Sequence, residues 1–173
     1  MIYRFRIILD AKEDVFRDIE IDKENTLEEL HNAITQAFGF EGQEMASFYV
    51  SNEEWEQGEE ISLFDVSEGV ESVRVMNETS IDNVTHRDQT RLLYVYDFLS
   101  MWTFLVELAD IAEIDPAQTY PNLMFAHGEI PEEAPDKEFK AENPDGEDDD
   151  ENYLDDDLDP EDYSDLDFNE NWN

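Results

Sequence analysis

The chain has 173 residues and a formal net charge of -38, from 48 acidic against 10 basic side chains. Such a field repels phosphate backbones and anionic lipid, so direct nucleic-acid or membrane binding is disfavoured, while basic proteins and cations are attracted. No cysteine is present, which excludes disulfides and thiolate chemistry and accords with a reducing, cytoplasmic setting.

The length suits one domain with a real core. The charge is spread along it: residues 1–128 and residues 129–173 each carry -19. Residues 1–14 alternate apolar and basic side chains before turning acidic, and lack the continuous apolar run of a signal peptide.

Residues 2–9 read as a strand, with Tyr3, Phe5, Ile7 and Leu9 on one face and Arg4 and Arg6 on the other. A charged turn at 10–14 leads to a second strand over 15–21, where Val15, Arg17, Ile19 and Ile21 oppose Phe16, Asp18 and Glu20. The pair predicts an antiparallel hairpin. Thr26 and Glu29 have capping-box spacing. Leu27, Leu30, Ile34, Ala37 and Phe38 then make one helical stripe that Gly39 is placed to end. That helix is expected to cover the apolar face of the sheet.

A short strand is predicted at 46–50, followed by an acidic connection with Trp55 as its apolar anchor. Weaker elements fall at 61–66 and 70–76, and a short helix at 80–89 with Ile81 and Val84 inward. Residues 92–108 (LLYVYDFLSMWTFLVEL) are the densest apolar stretch. Their two alternating runs, broken at Leu99 to Met101, predict a long hairpin in the middle of the sheet. A membrane span is excluded, because the run falls short of roughly 18 residues and contains Asp97. Prolines at 116, 121, 131 and 135 forbid long regular elements, so this part is expected to be an extended segment on the domain.

Residues 138–173 change in kind: acid runs carry spaced aromatic and apolar residues, among them Tyr153, Tyr163 and Trp172. Interleaving of this sort suits a tail that is disordered or docks on a surface, and it equally suits a solubilising tail. The fold class expected is therefore α+β: a mixed, mainly antiparallel sheet covered by one main helix, in the order β-β-α-β and then the central hairpin. The domain spans 1–131 and the acidic tail 132–173.

Several separated pieces carry a family resemblance: Phe16-Arg17-Asp18-Ile19-Glu20, Thr26-Leu27-Glu28-Glu29-Leu30-His31 through Ala37-Phe38-Gly39-Phe40, Tyr94-Val95-Tyr96-Asp97-Phe98, Trp102, Val106-Glu107-Leu108 and Tyr120-Pro121. In this order and spacing they resemble the plasmid pRiA4b ORF-3-like family, which includes the TnpR-named passenger protein of an insertion element. The resemblance implies a compact α+β domain with a mixed sheet and a covering helix, and a link to mobile elements; it implies no activity. The chain departs from the family pattern at polar points. Leu99-Ser100 stands where the hairpin turn usually reads Gly-Asp, Phe104 where a histidine is usual, and Ile130-Pro131-Glu132-Glu133 where a Pro-Pro-Glu-Asp segment is usual. If those residues form a site in relatives, this chain has lost it.

Chemical motifs are few. His31, His86 and His127 have no paired spacing, the glycines make no phosphate loop, and a calcium-loop register on Gly146 puts Ala141 and Asn152 at its first and last ligand positions. No catalytic residue, metal site or cofactor is expected. Asp97 is the one acid set among aromatics, a setting that raises a carboxyl pKa unless the side chain caps a turn amide. The candidate binding residues are Asp97, Trp102, Tyr153, Tyr163 and Trp172. The leading functional expectation is a non-catalytic interaction module that binds a basic protein. The alternatives are a DNA-mimic inhibitor of a nucleic-acid-binding protein, and an enzyme using Asp97 or a histidine.

Overall fold

The structure, a computed structural model, describes residues 1–65 and 73–135. The candidate residues Tyr153, Tyr163 and Trp172, with the rest of the acidic tail, lie outside the described residues. Strands β1 (Ile2–Leu9) and β2 (Phe16–Asp22) form the first hairpin, and helix α1 (Leu27–Phe38) follows. Then come β3 (Ala46–Val50), β4 (Glu60–Ser62) and β5 (Arg74–Val75). The central hairpin is β6 (Arg91–Tyr96) and β7 (Trp102–Ala112), and β8 (Asn122–His127) closes the series. They make one eight-stranded sheet of order β5-β4-β3-β6-β7-β1-β2-β8, in which the β4–β5 pair is parallel and the rest are antiparallel. The fold is α+β with a mixed sheet. Its central hairpin stands in the middle as its alternation predicts, and β7 runs four residues past Leu108.

The helix begins where its cap chemistry dictates. Thr26 Oγ1 accepts from the Glu29 amide at 3.2 Å, and the Glu29 carboxylate accepts from the Thr26 amide at 2.8 Å. Gly39 ends it with φ of 83°, a left-handed conformation that costs glycine nothing. Leu27, Leu30, Ile34 and Phe38 are buried, and the Phe38 ring lies 4.7 Å from that of Phe104 on β7. Every second residue of the strands points to the same side: Phe5 and Ile7, Ile19 and Ile21, Phe48, Leu92 and Tyr94, Phe104 and Val106 are all at most 1% exposed. Burial of each such side chain contributes roughly 1.5–3 kcal/mol.

Arg17 belongs to this buried side despite its charge. Its guanidinium donates to the carbonyls of Ala37, Phe16 and His127 at 3.1, 2.8 and 3.0 Å and lies 4.8 Å from the Phe38 ring. Burial pushes its pKa down. It ties the last turn of α1 to β2 and β8, at a helix end where orphan carbonyls favour a cation.

Two expectations are corrected. The helix expected at 80–89 is a single 3₁₀ turn, Ile81–Asn83. The amides of Ile81 and Asp82 bond to the carbonyls of Asn25 and Lys23 instead of continuing a helix, and Ile81 and Val84 are buried as expected. The proline-rich stretch is not merely laid on the domain. It supplies β8, which pairs antiparallel with β2 along Glu20↔Asn122 to Phe16↔His127. Pro121 precedes the strand, where a missing amide removes no ladder bond. Gly128 then turns the chain away at φ of 81°, where a Cβ atom would come within 2.4 Å of the Asp14 carbonyl oxygen. The weaker elements expected at 61–66 and 70–76 appear as the short strands β4 and β5, and residues 66–72, which hold the end of the first and the start of the second, lie outside the described residues.

Candidate functional site

Asp97 and Trp102 stand at the two ends of the central hairpin turn. Asp97 is half-buried with φ of 64°, a conformation Asp tolerates better than most residues. Its carboxylate accepts from the amides of Leu99 and Ser100 at 3.1 and 3.4 Å. The side chain is thus committed to capping the turn. Trp102 is 7% exposed and its ring lies 5.1 Å from Phe40. With Ser100, Glu132, Glu133 and Ala134 it also lines a surface recess of about 360 Å³. Phe98, Leu99 and Met101 are exposed on the turn, Leu99 at 96%.

The polar cluster with the largest electrostatic perturbation lies inside the fold. His31 is 2% exposed, and its Nδ1 is hydrogen-bonded to the Tyr94 hydroxyl at 2.6 Å. Burial lowers the His31 pKa to about 4 and raises that of Tyr94 well above its usual value. The Tyr96 hydroxyl, whose ring is 6.4 Å from His31, accepts from the Gly42 amide at 3.0 Å. A neutral imidazole held by a phenol fixes α1 to β6, a structural use of the pair. The signal in the chain is the position of His31 four residues after Leu27 and three before Ile34, within the apolar stripe.

The other histidines have separate surroundings. His127 stacks on Phe16 with centroids 5.3 Å apart, and His86 shares a backbone bridge with Gln89. Among the described residues no group of three or more His, Asp or Glu side chains could hold a metal ion.

The side of the sheet away from α1 is laid out in rows. Directly opposed residues of neighbouring strands share a face, so the register aligns Asp18, Arg6, Glu107 and Arg91 across β2, β1, β7 and β6. Their signs alternate. Arg6 Nε lies 2.8 Å from Asp18 Oδ1, and Arg91 Nε 3.5 Å from Glu107 Oε2. The Arg91 guanidinium also lies 4.8 Å from the Trp55 ring. Two residues along the strands runs an apolar row, Phe16, Ile8, Leu105 and Leu93, every member half-buried. A third row pairs Arg4 with Glu20 at 2.8 Å and with Asp110 at 3.1 Å. A recess of about 440 Å³ lined by Arg4, Arg6, Asp18, Glu107 and Met124 opens above the charged rows.

A second concavity of about 430 Å³ lies on the helix side, between Ala33, Gln36 and Ala37 of α1 and Pro121, Asn122 and Leu123 at the β8 edge. Leu123, Met124 and Phe125 are 45–51% exposed along that edge. No helix among the described residues is long and apolar enough to cross a membrane.

Comparison with known proteins agrees with this fold. The crystal structure of a protein of unknown function, MM3350 from Methanosarcina mazei Go1, superposes with a TM-score of 0.63 at 18% identity, covering 72% of this chain and 68% of that one. No curated protein matches. The family profile described as plasmid pRiA4b ORF-3-like protein matches residues 1–141. The chain belongs to the plasmid pRiA4b ORF-3-like family.

Proposed function

We propose that this protein is a non-catalytic interaction module whose acidic surface and tail bind a basic protein partner. One observation carries the reading. Of the eight Lys and Arg side chains among the described residues, Arg4, Arg6, Lys23, Arg74 and Arg91 are held in ion pairs within the fold. Arg17 is buried against carbonyl oxygens. Six of the eight bases are thus engaged by the fold's own acids or carbonyls, Lys12 and Arg87 being exposed, and the surplus of a chain at -38 is left as carboxylate. That field attracts cationic surfaces and speeds their encounter more than it adds contact energy. The turn-capping role of Asp97 and the burial of His31 favour this reading over an enzyme built on either.

The test is a pull-down from a bacterial lysate with the full chain and with a chain ending at Pro135, each eluted by rising salt. Basic proteins should be retained and released as salt screens the contact. Recovery of neutral or acidic proteins alone, or retention indifferent to salt, would sink the reading. Recovery of the same partners by both chains would remove the tail from it. Capture of a DNA-binding protein that DNA displaces would narrow the reading to phosphate mimicry.

A further inference from the structure

We infer that the sheet face away from α1 is a self-complementary contact surface for a second copy of this chain. The inference is independent of the basic-partner reading and rests on the register. Consider a twofold axis lying above the sheet and parallel to its strands, midway between β1 and β7. Rotation about it sets each residue of β1 against its register partner's copy on β7, and each residue of β2 against the copy of the β6 residue in the same row. Asp18 then faces Arg91 of the second copy, and Arg6 faces Glu107. An alternating row of four is self-complementary about its centre, so every facing pair is of opposite sign. The same axis serves the apolar row, with Ile8 against Leu105 and Phe16 against Leu93. One operation therefore satisfies both rows, which is what an isologous twofold contact requires.

The charge distribution singles out this face. Two chains at -38 repel, and close approach is least costly where acids are already neutralised. Arg4, Arg6 and Arg91 all lie here, and the row of four has no net charge. The half-buried Phe16, Ile8, Leu93 and Leu105 provide the apolar contact, and the recess over Arg4, Arg6 and Glu107 leaves room for incoming side chains. Aligned sheets pack about 10 Å apart with strand directions roughly 30° apart. That rotation displaces residues next to the axis least, so Arg6, Glu107, Ile8 and Leu105 make the defining contacts.

Sedimentation velocity on the full chain over a concentration series tests this. The expected result is a reversible monomer–dimer equilibrium. Arg6→Glu sets carboxylates against carboxylates across the axis, and Glu107→Arg sets guanidiniums against guanidiniums. Each should weaken self-association by at least about tenfold. Mixed in equal amounts, the two variant chains should dimerise with each other again, because every facing pair in the mixed dimer is of opposite sign. Circular dichroism verifies that each variant folds. If one does not, Arg6→Gln and Glu107→Gln replace the pair, each expected to weaken the dimer several-fold with no rescue on mixing. A wild type that stays monomeric throughout overturns the inference. So does a dimer indifferent to the substitutions, or a charge-swapped mixture that fails to reassociate.

Discussion

On the helix side of the sheet, Phe5, Phe48, Tyr94 and Phe104 are fully buried, and buried polar groups there, among them His31 and Arg17, are held by hydrogen bonds. On the opposite side, charged residues alternate in sign along each row, and the apolar row is only half-buried. The first arrangement draws stability from area removed from water and from packing that tolerates no gap. The second draws little, because exposed ion pairs gain modest Coulomb energy against water and side-chain entropy. One face is built to hold the fold, and the other is a surface of fixed pattern whose effect on stability is small.

The comparison breaks most easily at Phe104. Its ring meets Phe38 at 4.7 Å and Tyr94 at 5.8 Å, and it sits at 0% exposure where strand and helix side chains converge. Phe104→Ala should cost about 3–5 kcal/mol through lost transfer energy and the cavity left behind, measured by urea denaturation. A cost near that of a surface substitution would mean the two faces are not so unequal.

The next effect is the pH dependence that His31 imposes. In the unfolded chain its pKa is near the usual 6.5, whereas folding lowers it to about 4. Above 6.5 both states are neutral and the group contributes nothing to the pH dependence. As pH falls from 6.5 towards 4, the unfolded chain takes up a proton that the folded chain refuses, so stability is lost across that window. The full loss is about 3 kcal/mol, at roughly 1.4 kcal/mol per pKa unit. Because protonation of surface carboxylates relieves repulsion over much of the same range, the measurement is a difference. The unfolding free energy of wild type minus that of His31→Gln, which keeps a partner for the Tyr94 hydroxyl, should be flat above pH 6.5 and decline below it. A flat difference throughout would place the imidazole in water.

How much of this was legible in the chain follows from the same contrast. Strands with one face buried alternate, so β1, β2, β3 and the central hairpin are readable from Tyr3-Phe5-Ile7, Ile19-Ile21 and Tyr94-Tyr96. Thr26, Glu29 and Gly39 set the bounds of α1 through local chemistry that needs no tertiary context. β8 was not legible: its Leu123, Met124 and Phe125 are exposed on an edge strand, so no burial pattern forces them to alternate, and the preceding Pro121 argues for a loop. The 3₁₀ turn at Ile81–Asn83 was hidden because its amides find partners in residues 23–25, a contact across the fold. Asp97 was readable as a turn cap, since its carboxylate bonds two and three residues onward. His31 showed only as a polar residue flanking an apolar stripe, and its tyrosine partner is 63 positions away. The charged rows were beyond reach, since Arg6 and Glu107 become neighbours only through a register between strands about a hundred residues apart.

The smallest effect lies on the patterned face. Arg6 and Asp18 make a two-bond pair at 2.8 and 2.9 Å, and the Arg6 guanidinium rests 4.1 Å from the Phe16 ring. The Arg6 side chain is nevertheless 47% exposed, so water competes for both contacts. A double-mutant cycle of Arg6→Ala and Asp18→Ala should give a coupling of about 0.2–1 kcal/mol. The coupling should shrink as salt is raised towards 1 M, where the screening length falls to about 3 Å. That smallness is what lets the face be rewritten without unfolding the chain: a charge swapped at Arg6 changes what the surface presents far more than it changes the fold. A coupling of several kcal/mol, or one indifferent to salt, would instead make the row part of the fold's framework and erase the contrast with the helix side.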